Sequence, residues 1–293
     1  MPLWLSDAAD RVPLYRAVPD RGWPRFSHID EDLVAFASRF GDPFAGRVDP
    51  TRQPVALLQA AQGLAVYSAL GRDDLVALAE SLAITWRRLG VAEGEGVLLH
   101  DYATSPLVAF SSRSFLPHLE RGAADILSCT PICNDGLPEL AERCIHILDY
   151  AAPGTMFLDG DSVVPVLDAL ASRRPSVRRV VVSADESLVT SEQLTAWRQA
   201  FGVEVIQVLR SDAAHFFAPP CPLQSGTFHP PPAFLTEALT AEDVMRGSPE
   251  GRISITNTAV RSTIVARYVT SLTGRVSTDR CRCGLVGTSV MTT

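Results

Sequence analysis

The alternation of short apolar runs with amphipathic stretches between residues 96 and 209 constrains the fold of this chain most. The amphipathic stretches are about 10–15 residues long, and their apolar residues follow helical spacing. Apolar strands that alternate with such helices indicate βαβ units and a parallel sheet buried on both faces. The predicted strands are GVLLHDY, ADILSCT, GTMFLDG, VRRVVVSA and VEVIQVL, and the predicted helices are LPELAERCIHILDYA, SVVPVLDALASR and SEQLTAWRQAF.

The regions on either side of this alternation have different patterns. Residues 55–70 are apolar around a central glycine, which predicts two short strands joined by a turn. Asp73 and Asp74 predict the start of a helix that ends at Gly90. From Arg210 the chain is rich in proline and in short β-prone segments. We therefore predict an α/β domain over residues 1–209 and a smaller β-rich lobe over residues 210–293.

Charge and hydropathy narrow the class of protein. The formal net charge is −7 and the pI is about 5.4, which disfavours nucleic acid and anionic membranes as partners. No apolar stretch is long enough to span a bilayer. The N-terminal residues MPLWLSDAADR lack the basic and apolar regions of a secretory signal. We expect a cytoplasmic protein.

The chain contains no lysine, so all 26 of its basic residues are arginine. A genome rich in G and C favours arginine codons and explains this composition. The chemical consequence holds in either case. Mechanisms that need a lysine ammonium group, a Schiff base or a phosphate-binding lysine are excluded.

Four residues of the C-terminal region have the chemistry of a zinc site. A closed zinc site often has three thiolates and one imidazole, and its full tetrahedron leaves no position for a catalytic water. Such a site would be structural and would contribute to the folding of the lobe. The alternative is three ordinary cysteines and a surface histidine among prolines. The candidate ligands are Cys221, His229, Cys281 and Cys283.

Several segments together resemble one known family. VPLYR (residues 12–16) is similar to an early Val-Pro-Phe-Tyr-Arg segment, GRISITN (residues 251–257) to Gly-Glu-Leu-Val-Val-Thr-Asn, and residues 266–268 to Ile-Arg-Tyr. In this order they resemble the phenylacetate–coenzyme A ligases, a branch of the acyl-adenylating, AMP-forming ligases. The resemblance implies the large N-terminal domain of such a ligase, a mixed or parallel sheet flanked by helices, with a smaller zinc-binding β-rich lobe. Zinc-bearing members of the family carry a Cys-x-Cys-Gly element, which supports the zinc hypothesis.

The chain departs from this family where the family binds ATP. Residues 59–66 (QAAQGLAV) replace a Ser/Thr/Gly/Lys loop that holds phosphates, and residues 207–211 (QVLRS) replace the Tyr-Gly-x-x-Glu motif. Ser271 and Leu272 stand where the family has its ribose-binding aspartate. The sequence ends at residue 293, shortly after residues 287–289, where the family has its hinge, so we expect the mobile C-terminal domain to be absent. Because the charge on phosphate must be neutralised by cations or aligned donors, we expect no ATP binding.

Four residues near strand ends are candidates for catalysis. His100 and Asp101 end a predicted strand, and a histidine beside a carboxylate can act as a general base. The alternative is a solvated loop pair. Cys129 and Cys133 follow the next strand, and a thiolate there could carry an acyl group. The alternative is that both are small buried hydrophobic residues.

These observations support two main functional hypotheses. In the first, the chain is an enzyme that has lost ATP and acts on a small acyl or aryl molecule, such as a carrier-bound thioester. It would catalyse transfer, condensation or cyclisation in a specialised-metabolite pathway. In the second, it is a non-catalytic scaffold that binds an active ligase or a carrier protein. A third hypothesis is residual AMP-forming ligase activity, and a homodimer is compatible with all three.

Overall fold

The computed structural model describes residues 1–60, 65–170, 177–239 and 250–292. The chain forms two compact units, one made of residues 1–78 together with 211–293 and the other of residues 79–210. Residues 1–78 thus group with the C-terminal region, whereas the sequence predicted one domain over residues 1–209. Bridges within the first unit give the physical reason, since His28 pairs with Tyr268 and Val48 pairs with Thr263.

The helices and strands follow one another along the whole chain. The α-helices are α1 (Leu3–Arg11), α2 (Leu14–Ala17), α3 (Asp30–Phe40), α4 (Arg72–Arg88), α5 (Pro106–Ala109), α6 (Ala123–Leu127), α7 (Ala141–Ala151), α8 (Val163–Leu170) and α9 (Ser191–Phe201). The strands are β1 (Ala56–Gln59), β2 (Tyr67–Leu70), β3 (Gly96–His100), β4 (Thr130–Asn134), β5 (Thr155–Leu158), β6 (Arg179–Val182), β7 (Glu204–Gln207), β8 (Leu209–Ser211), β9 (Phe216–Ala218), β10 (Thr227–Phe228), β11 (Phe234–Leu239), β12 (Glu250–Asn257), β13 (Tyr268–Ser277) and β14 (Ser289–Thr292).

The unit of residues 79–210 is built on a parallel sheet with strand order β4-β3-β5-β6-β7. Its central strands are buried on both faces, as their continuous apolar sequence predicts. On one face Met156 and Val180 pack with Cys144 of α7 and Val166 of α8 in a single apolar cluster. Phe157, which neighbours Met156 along β5, stacks on Trp86 of α4 with 5.4 Å between ring centroids. The predicted α/β architecture is therefore confirmed.

One predicted strand, ADILSCT, is wrong. Most of it forms α6, and the strand begins later, at Thr130. The Asp125 carboxylate accepts the backbone N–H of Gly122 at 2.8 Å, which satisfies an amide at the start of the helix. Ser128 ends the helix in the left-handed conformation, with φ of 56°. Capping at both ends therefore outweighs the β-prone residues between them.

The other unit, residues 1–78 with 211–293, contains an antiparallel sheet with strand order β10-β14-β13-β12-β11. The predicted hairpin is present, since β1 pairs antiparallel with β2. Residues 61–64 of the predicted replacement for the phosphate loop lie outside the described residues. In the parts of the chain that the structure describes, no helix combines the length and apolar composition of a membrane crossing.

Candidate functional site

Polar side chains collect at the carboxyl edge of the parallel sheet. The residues that end or follow its strands are His100 and Asp101 (β3), Asn134 (β4), Asp159 (β5), Ser183 (β6) and Arg210 (shortly after β7). In open parallel sheets the carboxyl ends of the strands meet at one edge, which is where such folds bind ligands. This edge is therefore the first candidate site.

The centre of this edge is an ion pair between Arg210 and Asp101. One guanidinium nitrogen of Arg210, Nη1, lies 2.7 Å from Asp101 Oδ2 and donates to the Ser183 carbonyl at 2.8 Å. Both side chains are 0% exposed, and Asp159 Oδ1 lies 3.9 Å from the same nitrogen. A buried charge must be paired, because an uncompensated one costs several kcal/mol. Asp101 is thus the counterion of Arg210.

His100 does not pair with Asp101, so the predicted histidine–carboxylate pair does not form. Side chains of consecutive strand residues point to opposite faces, and His100 instead lies beside Asn134, with 2.8 Å between His100 Nδ1 and Asn134 Nδ2. Burial lowers the pKa of His100 from 6.5 to about 4, so the ring is neutral at pH 7. Within the described residues, His100 Nε2 and Asn134 Oδ1 are buried without a hydrogen-bond partner.

The two candidate nucleophiles, Cys129 and Cys133, are half-buried thiols. Burial is the main cause that raises the pKa of both to about 11, and the charges of Asp101 and Asp135 contribute to the raised value of Cys133. Because the thiolate is the reactive form, neither residue is activated at neutral pH in this structure. Their environment therefore supports the packing interpretation more than the nucleophilic one.

The four predicted metal ligands come together in the unit of residues 1–78 and 211–293. Their ligand atoms all lie within 4.8 Å of one another and could hold a metal ion. Cys221 Sγ lies 3.6 Å from Cys281 Sγ, and Cys283 Sγ lies 3.3 Å from His229 Nε2. Bonds of about 2.3 Å to sulfur and about 2.0 Å to nitrogen give tetrahedron edges of roughly 3.5–3.8 Å. The donor set and the spacing both fit Zn²⁺.

Local backbone geometry positions these ligands. The Cys221 N–H donates to the Thr227 carbonyl at 2.7 Å, which brings the two ends of a short loop together. Cys281 and Cys283 lie on a tight turn in which the Gly284 N–H donates to the Cys281 carbonyl at 2.9 Å. Gly284 has φ of 87°, a conformation that glycine adopts without strain. The Cys-x-Cys-Gly spacing thus directs both thiols to the same point.

Solved structures identify the architecture. An open conformation of 2-hydroxyisobutyryl-CoA ligase with 2-HIB-AMP and CoA matches with a TM-score of 0.72 and 13% identity over 98% of this chain and 66% of that chain. The fold is that of an adenylating ligase. An anthranilate CoA ligase in complex with anthranoyl-AMP matches at 0.55, with 14% identity over 83% and 47% of the two chains. Unliganded o-succinylbenzoate CoA synthetase from Bacillus subtilis matches at 0.53, with 11% identity over 77% and 48%.

These likenesses concern the fold, because the identities are far too low to carry activity or substrate. The chain spans just under two thirds of the length of the 2-hydroxyisobutyryl-CoA ligase structure and about half of the other two. No protein-family model matches the sequence, and no curated protein matches it either. The sequence analysis and the solved structures therefore agree on the fold, while membership of the ligase superfamily and of a branch within it is a proposal.

Sequence reasoning missed four residues of the sheet edge, namely Asn134, Asp159, Ser183 and Arg210. Each lies at or after the end of a strand, which is the one signal that could have drawn attention to them. Arg210 stands within the segment that replaces the Tyr-Gly-x-x-Glu motif, but nothing in the sequence pairs it with Asp101, which is 109 positions away. The pairing follows only from the strand order.

Proposed function

We propose that this chain is a non-catalytic relative of the acyl-adenylating ligases, within the phenylacetate–coenzyme A ligase branch. In this proposal it binds an active ligase or a carrier protein of a specialised-metabolite pathway and does not form an acyl adenylate. The observation that carries the proposal is the buried Arg210–Asp101 ion pair at the carboxyl edge of the parallel sheet.

The ion pair argues against a phosphate ligand at this edge. The Arg210 charge is neutralised by Asp101, with Asp159 close by, so the guanidinium is not available to an incoming anion. Adenylation needs cations or aligned donors at the developing phosphate charge. The chain has no lysine that could replace Arg210 in this role.

Two measurements test the proposal. The first is calorimetric titration with ATP and magnesium, and we expect no binding at millimolar ATP. The second is ATP–pyrophosphate exchange with a panel of carboxylic acids, including 2-hydroxyisobutyrate, anthranilate and phenylacetate, and we expect no exchange above background. Saturable ATP binding together with acid-dependent exchange would show that the chain is a ligase and would refute the proposal.

A second candidate function is an enzyme that acts on an acyl group without ATP. His100 Nε2 and Asn134 Oδ1 favour it, since a buried donor and a buried acceptor without partners suit a carbonyl or hydroxyl group. His100→Gln should then weaken binding of an acyl thioester, measured by calorimetry with acyl-pantetheine probes. His146→Gln, on an exposed position of α7, is the matched control. Equal binding by both variants would reject His100 as part of an acyl site, and no binding by the wild type would reject this second function.

We further propose that the metal of the four-residue cluster is a structural zinc. Cys221, His229, Cys281 and Cys283 supply four protein ligands, so the ion would have no open position and would not take part in acyl chemistry. When bound, zinc would hold the loop before β10 and the turn before β14 together. The metal is tested by elemental analysis, with one zinc per chain expected.

A further inference from the structure

Arg47 is a buried arginine without a carboxylate partner. Its side chain is fully buried, and Nε and Nη1 have no hydrogen-bond partner among the described residues. The remaining nitrogen, Nη2, donates to the Tyr67 carbonyl at 3.3 Å. An arginine stays protonated in a protein, so this position carries a positive charge that a neutral carbonyl only partly compensates. Arg210 differs in this respect, because it is equally buried but is ion-paired with Asp101.

The carboxylates whose charges act on Arg47 are those of Asp30 and Asp42, and both accept hydrogen bonds from other groups. The Asp30 carboxylate accepts the Tyr268 hydroxyl at 2.9 Å, and that of Asp42 accepts the N–H groups of Phe44 and Gly46. Asp32 is bound by both guanidinium nitrogens of Arg21. In the described part of the chain, none of these carboxylates lies within ion-pairing distance of Arg47. The Arg47 charge therefore lacks an internal counterion.

Two further buried side chains of the described residues have a polar atom without a hydrogen-bond partner, one near Arg47 and one next to Tyr67 in sequence. His28 is packed edge-on between Tyr15 and Tyr268, at 5.3 and 5.6 Å between ring centroids, and its Nε2 has no partner. Ser68, which follows the carbonyl that Arg47 binds, also has a buried hydroxyl without a partner. Buried polar atoms that stay unpaired are uncommon in folded proteins, and several of them around one charge indicate that a ligand completes the set.

The charges of the site select the ligand. Burial, together with the nearby Arg47 charge, lowers the pKa of His28 to about 4 and that of His215 to about 3. Both rings are therefore neutral at pH 7, and Arg47 is the positive charge. The negative charges of Asp30 and Asp42 also act on Arg47. A monoanion matches one guanidinium, whereas a phosphate dianion would leave excess negative charge in a buried place.

We propose that Arg47, with His28 beside it, forms a binding site for the carboxylate group of a small organic acid. A carboxylate presents a planar pair of oxygens that suits the guanidinium N–H groups. A cavity of about 560 Å³ lies close by along the chain, since Pro43 and Val66 line it and the Tyr67 N–H donates to the Pro43 carbonyl at 2.7 Å. This site belongs to the unit of residues 1–78 and 211–293, and it does not depend on the function proposed from the sheet edge.

Thermal unfolding of purified chain tests the proposal. Acetate, isobutyrate and benzoate are added as sodium salts at constant ionic strength, and chloride and phosphate serve as comparison anions. For the wild type we expect a saturable rise in Tm of roughly 5–10 °C with at least one carboxylate, and little change with chloride or phosphate. No rise with any carboxylate, or an equal rise with chloride or phosphate, overturns the proposal.

Variants locate the effect at Arg47. Arg47→Met removes an unpaired buried charge, so without carboxylate its Tm should exceed that of the wild type, and the response to carboxylate should vanish. Arg210→Met is the matched control, because it removes an equally buried but paired arginine; it should lower the Tm and keep the response. If Arg47→Met does not fold, Arg47→Gln and the ¹⁵N resonance of Arg47 Nε in the wild type give the same readout. A carboxylate response that persists in both Arg47 variants, or an Nε resonance that does not move with acetate, overturns the assignment.

Discussion

At the scale of single residues, the partner of a buried ionisable side chain determines its role. Asp101 ends up 0% exposed beside Arg210, and His100, one position earlier, is turned away from it toward Asn134. The sequence places a histidine next to an aspartate and suggests a general base. In the structure the two side chains make separate contacts, because Asp101 pairs with Arg210 and His100 lies beside Asn134.

The Arg210–Asp101 pair predicts a specific pattern of stabilities. Asp101→Asn leaves the Arg210 charge without its counterion in a buried place, and should lower the free energy of unfolding by about 3–5 kcal/mol. Replacing both residues, with Asp101→Leu and Arg210→Met, removes the charges together and should recover most of that loss. The measurement is urea denaturation of the single and double variants. Additive losses in the double variant would mean that the two charges are not coupled.

The buried histidines predict a loss of stability in acid. The pKa of His100 is lowered from 6.5 to about 4, so between these values the unfolded chain binds a proton that the folded chain does not. Stability from this group is therefore complete above pH 6.5 and falls as the pH drops toward 4, by up to about 1.4 kcal/mol per pH unit. His28 acts in the same direction. In urea denaturation from pH 7 to 4, the free energy of unfolding should change less steeply with pH in His100→Gln than in the wild type. An equal slope in wild type and His100→Gln would contradict this.

At the scale of elements, the sequence predicts best where one signal acts alone. The strands β5, β6 and β7 and the helices α7, α8 and α9 lie where their periodicity placed them, because burial on both faces leaves no competing pattern. The segment ADILSCT failed because local capping by Asp125 competes with the β-prone residues that follow it. The grouping of residues 1–78 with 211–293 could not be predicted, since it depends on bridges between distant positions such as Val48 and Thr263.

The start of α4 gives a prediction at this scale. Asp74 was predicted to cap the helix, and its carboxylate accepts the Gly71 N–H at 2.8 Å. It also accepts the N–H groups of Arg261 at 2.7 Å and Ser262 at 3.2 Å, which the sequence does not reveal. Asp74→Ala would leave three backbone donors without this acceptor and should lower the free energy of unfolding by about 2–4 kcal/mol. Asp73→Ala, at an exposed position, should change it by less than about 1 kcal/mol in chemical denaturation. Similar values for both variants would show that Asp74 acts only as an ordinary helix-start residue.

At the scale of the whole molecule, the chain has the fold of an adenylating ligase. At the carboxyl edge of its parallel sheet, the Arg210 charge is neutralised by Asp101. The fold could be predicted because the alternating pattern and the collinear segments agree with one another. The metal cluster could be predicted in composition, because thiol and imidazole groups recur near turns. Its convergence required the hairpin of β13 and β14 and the pairing of β10 with β14, which bring positions 221 and 283 together.

The cluster predicts how the molecule responds to loss of metal. With zinc bound, chelation by excess EDTA should remove one zinc per chain and lower the Tm, because the loop before β10 and the turn before β14 then lose the ion that joins them. Hydrogen exchange should rise around residues 219–229 and 278–292, while residues 96–100 and 155–158 of the parallel sheet, which hold no cluster ligand, should keep their protection. Cys283→Ser should lose zinc and reproduce the exchange pattern, and Cys129→Ser, a half-buried thiol outside the cluster, should retain one zinc. Zinc retained by Cys283→Ser, or lost equally from Cys129→Ser, would mean that the metal is held elsewhere and that the four converging side chains are not its ligands.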